Sequence, residues 1–212
     1  MKITKYEHAC LILEKDKQRL VIDPGKFTNL PSDLTRVVGV IVTEEHFDHF
    51  YIENIEKIIA VNPSVTIYST SNVCEQLNDK NIKCKAISGN KTLKIDGFTV
   101  EFREGDHAPS YKVSPCRVLT IKIDGQLYYP SDSYIKPLER VQILALPTCG
   151  PWHKVEEAVD FANSVDSDII LATHNGLYND HGQHVANHFI SANTSDEDRE
   201  WIYLEVGATK EF

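Results

Sequence analysis

TEEHFDH, residues 43–49, directly follows the apolar run VVGVIV at residues 37–42. A short apolar run of this kind is typical of a buried strand, which places the polar stretch in the loop where the strand ends. In that loop His46, Asp48 and His49 supply imidazole and carboxylate ligands at a spacing suited to a pair of divalent metal ions. The alternative is a polar turn between a strand and a helix, because short His/Asp clusters also occur in ordinary turns.

Length and charge limit the class of protein. A chain of 212 residues suits one domain, or two tightly fused halves, and can bury a sizeable core. The net charge of −9 disfavours nucleic acid as the main partner, because that affinity rests on Lys and Arg displacing counterions. No apolar run approaches the roughly 18 residues of a membrane span. We therefore expect a soluble cytoplasmic protein with no membrane partner, and a homo-oligomer only as a base-rate expectation.

The cysteines are odd in number and widely scattered. None of the five lies in a C-x-x-C pair or in any other ligand spacing, and they stand at Cys10, Cys74, Cys84, Cys116 and Cys149. We expect them to be reduced and mostly buried, as free cysteines are in cytoplasmic proteins.

Strand and helix signals alternate along the chain. Strands are predicted at residues 2–6, 9–13, 19–22, 37–43, 65–69, 83–87, 93–95, 98–102, 118–123, 126–129, 142–146, 169–172 and 201–206. Helices are predicted at residues 51–60, 72–78 and 154–164, with another beginning near His181. Asp-Gly pairs at 96–97 and 124–125 predict two antiparallel hairpins.

No linker or low-complexity tract separates the two halves of the chain. Two sheets that share one core, with helices outside, therefore fit better than two independent domains. The predicted fold class is α/β, a four-layer αββα sandwich. It forms a single domain over residues 1–212, built of two similar halves at about 1–95 and 96–212.

Three more ligand-type residues follow predicted strands. His107 comes after the strand at 98–102, Asp132 after the strand at 126–129, and His174 after the strand at 169–172. Strand ends on one edge of a sandwich lie close in space, and loops there commonly carry functional sites. A lone histidine after a strand is usually a turn residue, but four such strand ends together favour one shared site.

Taken in order, these residues resemble the metallo-β-lactamase superfamily, in particular its small single-domain branch of ascorbate-phosphate lactonase-like proteins and metal-dependent hydrolases. The family loop reads H-x-H-x-D-H, and His46, Asp48 and His49 occupy its last three ligand places. The resemblance implies two divalent ions per chain, with zinc expected and manganese or iron as alternatives. It assigns His46 and His107 to one ion, and Asp132 to the position between the ions. The other ion falls to Asp48, His49 and His174.

Glu44 departs from this pattern, because it stands where the family has its first histidine. Its carboxylate could bind the first ion, since zinc, manganese and iron all accept oxygen ligands. Alternatively Glu44 turns away to form a salt bridge or cap the loop, which would leave a mononuclear protein.

The resemblance implies a metal-dependent hydrolase of a small molecule, such as a lactone or phosphoester. Metal-bound hydroxide would be the nucleophile, with Asp48 and Asp132 as the catalytic carboxylates. The chain has no G-x-S-x-G elbow, P-loop or dinucleotide fingerprint that would suggest another mechanism. The alternative is a degenerate member that binds or regulates, and a nuclease is disfavoured by the negative charge.

Four further residues are candidates for supporting the ligands or contacting the substrate. Asp23 would orient a ligand histidine, or would simply end its strand in a turn. His8 would lie near the site, either as a substrate contact or as a buried, hydrogen-bonded histidine. Trp152 and His153 follow a buried strand and would line the rim of the pocket.

Overall fold

Two seven-stranded sheets pack face to face in this computed structural model, which describes residues 1–112 and 116–212. A central apolar cluster joins the two sheets, with Leu20 and Ile41 from one and Phe98 and Ile143 from the other. Each sheet also packs against its own pair of helices through a separate outer apolar cluster. The predicted αββα sandwich is therefore confirmed.

The first sheet has the strand order β14-β1-β2-β3-β4-β5-β6. Its strands are β1 Lys2–Lys5, β2 Leu11–Lys15, β3 Gln18–Ile22, β4 Val37–Val42, β5 Thr66–Ser69, β6 Cys84–Ala86 and β14 Thr209–Glu211. Helices α1 (Ile52–Val61) and α2 (Ser71–Asn78) pack on its outer face. In β4, Ile41 faces the other sheet while Val40 and Val42 face the helices. Burial on both faces explains the unbroken apolar run at residues 37–42.

The second sheet has the order β13-β12-β11-β10-β9-β8-β7. Its strands are β7 Asn90–Ile95, β8 Phe98–Asp106, β9 Arg117–Ile123, β10 Leu127–Tyr129, β11 Val141–Pro147, β12 Ser167–Thr173 and β13 Glu200–Ile202. Helices α3 (Val155–Asn163) and α4 (Asp180–Thr194) cover its outer face. Both Asp-Gly turns join antiparallel strands, β7 to β8 and β9 to β10, as predicted.

The end of the chain differs from the prediction of one strand over residues 201–206. β13 ends at Ile202, and the chain then crosses to the first sheet, where β14 pairs antiparallel with β1. Ile3 lies opposite Lys210 in this pairing. The sequence of β14 is TKE, which has no apolar alternation and so gives no strand signal.

Two cysteines are not reduced, contrary to the expectation from the sequence. Cys74 in α2 and Cys84 in β6 form a disulfide, with their Cα atoms 5.0 Å apart. The short connection folds α2 back beside β6, which brings the two residues within bonding reach. Cys10 and Cys149 are free and buried, and Cys116 is free and half-buried.

None of the helices in the described ranges is both long enough and apolar enough to cross a membrane.

Lys5, at the end of β1, is an unusual core residue because only 2% of it is exposed. Its Nζ donates one hydrogen bond, of 3.0 Å, to the Tyr6 carbonyl. Burial lowers the pKa of Lys5 from 10.5 to about 8, and the acidic groups around it only partly oppose this: Cys10, Glu7, Glu205 and Cys149. The charged form of Lys5 is therefore poorly accommodated in the folded chain.

This burial predicts a stability that rises with pH. Between pH 8 and 10.5 the unfolded chain binds a proton at Lys5 that the folded chain has lost, so the contribution of Lys5 to the free energy of unfolding increases by about 3 kcal/mol. Urea unfolding gives the free energy of unfolding of the wild type and of Lys5→Met across this pH range. The value for the wild type should increase relative to that for the variant as pH rises. Lys2→Met, an exposed change in the same strand, is the control and should show no such trend. Parallel pH curves for wild type and Lys5→Met would contradict the prediction.

Candidate metal centre

Four loops meet at one edge of the sandwich, each following a strand. They carry residues 44–49 after β4, His107 after β8, Asp132 after β10, and His174 after β12. Backbone hydrogen bonds hold the loops in place: Leu119 N–H of β9 donates to the Thr43 carbonyl at 2.9 Å, and Ala108 N–H donates to the Asp132 carbonyl at 2.8 Å. The ligand-type residues of both sheets are thereby brought to a single place.

Gly25 allows the segment after β3 to pack against the 43–49 loop. A Cβ atom on Gly25 would lie 1.8 Å from the Asp48 carbonyl oxygen, so no other residue fits without moving the backbone. The neighbouring Lys26 N–H donates to the Phe47 carbonyl at 2.7 Å. This close approach fixes the loop that carries most of the candidate ligands.

One cluster of candidate ligands contains Asp48, His49, Asp132 and His174. Asp132 Oδ1 lies 3.1 Å from His49 Nε2 and 3.0 Å from His174 Nε2. The two Nε2 atoms are 3.1 Å apart, and His174 Nε2 is 3.5 Å from Asp48 Oδ2. These separations are close to the edge of about 3.3 Å expected for a tetrahedron of ligands about 2.0 Å from a zinc ion.

A second cluster contains Glu44, His46 and His107. Glu44 is fully buried, with Oε2 2.7 Å from His46 Nδ1 and Oε1 3.9 Å from His107 Nε2. The thiol of Cys116 donates to Glu44 Oε2 at 3.1 Å. The side chain of Glu44 therefore points into the site. In the alternative stated above, it would turn away from the site.

The ring nitrogens that face away from the clusters are held by acceptors. Nδ1 of His49 lies 2.7 Å from Asp23 Oδ2, while Nδ1 of His107 and of His174 faces the carbonyl oxygens of Ala108 and Cys149. Each Nδ1 must therefore carry a proton. In the neutral ring this leaves the Nε2 lone pair facing the cluster, which is the arrangement that metal-binding histidines require.

Asp23 is fully buried and accepts four hydrogen bonds. The donors are His49 Nδ1–H, Thr43 N–H at 2.7 Å, Thr43 Oγ1–H at 2.6 Å and the Tyr129 hydroxyl at 2.8 Å. Because the Thr43 hydroxyl donates to Asp23, Ser131 Oγ must donate to Thr43 Oγ1 at 2.7 Å. The structure thus places Asp23 behind His49, bonded to both sheets.

His8 packs behind Asp48. Gly176 N–H donates to His8 Nδ1 at 3.0 Å, so Nε2 carries the proton and donates to Asp48 Oδ2 at 2.9 Å. Burial lowers the pKa of His8 to about 4, so the ring is neutral. His8, Cys149 and His174 also lie close together, but His8 Nε2 is bonded to Asp48, and the Cys149 thiol donates to the His174 carbonyl. These three residues therefore do not form a separate ligand set.

Two buried oxygens show that the residues present fit a cation. Among the described residues, Glu44 Oε1 and Asp132 Oδ1 have no hydrogen-bond partner, although both are shielded from solvent. Buried carboxylate oxygens without donors are costly, because no water replaces the lost hydrogen bonds. A divalent ion in each cluster would satisfy these oxygens and the converging nitrogen lone pairs together.

The charges in the cluster of Asp48, His49, Asp132 and His174 also favour a bound cation. Burial alone would lower the pKa of His49 and of His174, but the nearby carboxylates, Asp132 foremost, outweigh burial and raise both pKa values well above the ordinary value. Burial alone would raise the pKa of Asp132, yet His174 and His49 hold it well below its usual range. The buried carboxylates thus attract positive charge, which protons or metal ions can supply.

A cavity of about 360 Å³ opens onto both clusters. Trp152 lines it and donates from Nε1 to Asp132 Oδ2 at 2.7 Å. His153 is not among the residues that line the cavity. Burial lowers its pKa to about 4, and its Nε2 has no hydrogen-bond partner among the described residues. The structure thus separates two neighbours that the sequence treats alike.

Sequence reasoning missed several residues that support the ligands. Tyr129 and Ser131 are ordinary hydroxyl residues in the sequence, and only the packing of the two sheets brings them to Asp23 and Thr43. Cys149 lies two residues after the end of β11, so the strand-end pattern that indicated the candidate ligands could have found it. No signal in the sequence relates Cys116 to Glu44, which is 72 residues away.

Comparisons with known proteins agree with this architecture. The sequence profile of a family described as "Beta-lactamase superfamily domain" matches residues 2–174. Protein Rv0786c of Mycobacterium tuberculosis is 29% identical over 171 residues, which cover 78% of this chain and 79% of the relative.

Solved structures show the same fold at low sequence identity. Igni18, a metallo hydrolase from Ignicoccus hospitalis, superposes with a TM-score of 0.74 at 17% identity, covering 100% of this chain and 98% of the other. The metallo-beta-lactamase fold protein YhfI from Bacillus subtilis gives a TM-score of 0.73 at 17% identity, with 99% of each chain covered. The chain therefore belongs to the metallo-β-lactamase superfamily.

Proposed function

We propose that this protein is a metal-dependent hydrolase of a small molecule, with two divalent ions per chain. Glu44, His46 and His107 would hold one ion, Asp48, His49 and His174 the other, and Asp132 would lie between them. The observation that carries the proposal is the position of the Asp132 carboxylate. Its Oδ1 belongs to one cluster and its Oδ2 lies 3.6 Å from His107 Nε2 of the other.

A pair of divalent ions lowers the pKa of bound water toward neutrality and polarises a carbonyl or phosphoryl oxygen of the substrate. The protein's own groups prepare the site for this chemistry. Trp152 N–H and His8 N–H each hold one oxygen of a carboxylate, Asp132 and Asp48 respectively. Asp48 lines the cavity, so we assign it the role of accepting the proton released during hydrolysis.

Burial would raise the pKa of Asp48, but its hydrogen bonds with His174 and His8 outweigh burial and keep the carboxyl ionised. An ionised carboxylate is available to bind a metal ion or to accept a proton, and its low pKa favours passing that proton on to the leaving group or to water. Zinc is the ion that we propose, because imidazole ligands predominate. The carboxylate of Glu44 makes the first position more favourable to manganese or iron than a third histidine would.

A degenerate binding protein is the competing function, and Glu44 is the residue on which the two differ. The buried, inward-facing carboxylate of Glu44 supports its role as a ligand, because its Oε1 has no hydrogen-bond partner among the described residues. A protein that had lost its first ion would have no need to keep a buried carboxylate oxygen without a donor at that place.

Metal analysis of Glu44 variants tests the proposal. We expect about two metal equivalents per chain in the wild type, about one in Glu44→Ala, and two again in Glu44→His, because an imidazole restores a ligand. Glu45→Ala is the matched control, since Glu45 bonds to Asn72 and not to the clusters. Elemental analysis of protein purified without chelator gives the counts.

Turnover should fall with the lost ion and return when the chelator-treated wild type is reloaded with metal. A wild type with one equivalent or none, and no gain in Glu44→His, would support the degenerate binding protein instead. So would the absence of chelator-sensitive turnover across lactone, thioester and phosphodiester substrates.

A further inference from the structure

We infer that the substrate is an uncharged ester or lactone that carries an apolar group, and not a phosphoester. This inference rests on the proposed hydrolase function and narrows its substrate class. It follows from the wall of the cavity beside the two ligand clusters, since the ligands themselves do not distinguish carbonyl from phosphoryl substrates.

The mouth of the cavity is apolar. Phe47, Tyr111 and Leu177 are 57%, 86% and 46% exposed, and all three line the same cavity. They come from three different loops, those after β4, β8 and β12. Exposed large apolar residues scattered singly need no explanation, but their convergence on one opening is typical of a ligand-binding surface.

The deeper wall continues the apolar surface. Trp152 presents its ring beside that of His107, with the ring centroids 5.7 Å apart, while its N–H is already bonded to Asp132. Pro151 and Ala108 complete this part of the wall. An acyl chain or lactone ring with an alkyl substituent would find dispersion contacts there without burying unpaired polar atoms.

The charge of the cavity wall bears on the substrate class. Among the described residues that line it there is no Lys or Arg. The nearest cation along the lining loops, Lys112, lies over the ring of Tyr111, with Nζ 5.2 Å from the ring centroid. Phosphate groups are usually held by Arg or Lys, which pair with the oxygens that the metal ions leave free.

The anionic ligands also disfavour a phosphoester. Carboxylates of Glu44, Asp48 and Asp132 would offset most of the charge of two divalent ions, and the whole chain carries a net charge of −9. A doubly charged phosphate monoester would therefore gain little attraction from the ions and would approach a chain of the same sign of charge. An uncharged ester or lactone has no such penalty, and a cavity of about 360 Å³ matches a small molecule of this kind.

The first test compares substrates of metal-loaded wild-type protein. We expect kcat/KM to rise at least about 10-fold from 4-nitrophenyl acetate to the octanoate, because the added methylene groups would be buried against the apolar wall. Esters and γ-decalactone should exceed 4-nitrophenyl phosphate and bis(4-nitrophenyl) phosphate by at least about 100-fold. Leu177→Lys should reduce the octanoate-to-acetate ratio, whereas Leu138→Lys, at a more exposed leucine outside this cavity, should keep it.

The second test measures binding without metal or turnover. In a Trp201→Phe background, the fluorescence of Trp152 in chelator-treated protein should be quenched saturably by γ-decalactone and not by phenyl phosphate. Leu177→Lys should raise the lactone concentration needed for half-maximal quenching several-fold.

The failures of the two proposals can be told apart. Preference for the phosphoesters, or an unchanged ester ratio in Leu177→Lys, would overturn the substrate inference and leave the hydrolase in place. Protein with two metal equivalents but no turnover of any substrate would overturn the proposed function. The fluorescence titration would then still decide whether the cavity prefers uncharged apolar ligands.

Discussion

Asp132→Asn is expected to reduce kcat/KM by about 10³-fold and to lower the metal content, which is the largest functional effect that we predict. The carboxylate lies 3.1 Å from His49 Nε2, 3.0 Å from His174 Nε2 and 3.6 Å from His107 Nε2. Asparagine has nearly the same shape, but it removes the negative charge that both clusters share. It also replaces one acceptor oxygen by an N–H₂ group, which would face either the Trp152 N–H or the histidine nitrogens.

The effect is measured by steady-state kinetics together with elemental analysis of the purified variant. Asp106→Asn is the control, because Asp106 is an exposed carboxylate at the end of β8 that pairs with Arg117 outside the clusters. The control should keep both its metal content and its kcat/KM. A folded Asp132→Asn protein with two metal equivalents and wild-type turnover would exclude Asp132 from the site.

Asp23→Asn is expected to cause the largest loss of stability, about 3–5 kcal/mol, and to weaken metal binding by about 10- to 100-fold. Asp23 accepts four hydrogen bonds in a fully buried position, from His49, Tyr129 and both the N–H and the hydroxyl of Thr43. The amide of asparagine would point a donor at one of these donors. His49 would also lose the acceptor that keeps its proton on Nδ1 and its lone pair toward the cluster.

Urea unfolding of metal-free protein gives the stability change, and competition with a chromophoric chelator gives the metal affinity. Asp33→Asn is the matched control, because Asp33 is an exposed aspartate in the loop between β3 and β4. If Asp23→Asn fails to fold, Tyr129→Phe removes a single donor and should cost about 1 kcal/mol. Unchanged metal affinity in a folded Asp23→Asn would show that Asp23 stabilises the fold without orienting His49.

The fold was largely predictable because its strands carry clear signals. The run at residues 37–42 is apolar throughout because β4 is buried on both faces, and the two Asp-Gly pairs fall at hairpin turns. β14 could not be predicted, because three polar residues at the edge of a sheet are held by backbone pairing alone. The Cys74–Cys84 disulfide depends on how α2 folds back on β6, which the spacing of the cysteines does not specify.

The candidate ligands were predictable from their order along the chain, because each follows a strand. The residues that surround the candidate ligands were not predictable. The bond from Tyr129 to Asp23 joins residues 106 positions apart, and that from Trp152 to Asp132 fixes an indole that the sequence suggests only as a rim residue. The direction of Glu44 was likewise open in the sequence, because a glutamate after a strand can face either the solvent or the interior.

The backbone around the centre is bent into conformations that amino acids with side chains rarely adopt. Four residues there have left-handed φ angles: 59° at His8, 46° at Asp23, 57° at Ser131 and 51° at His174. Each costs of the order of 1 kcal/mol or more, and glycine would relieve that cost. At Asp23 that relief would be outweighed by the loss of the four hydrogen bonds that the carboxylate accepts. Substitutions that raise the stability of this chain without loss of function are therefore expected to lie away from these four strained positions.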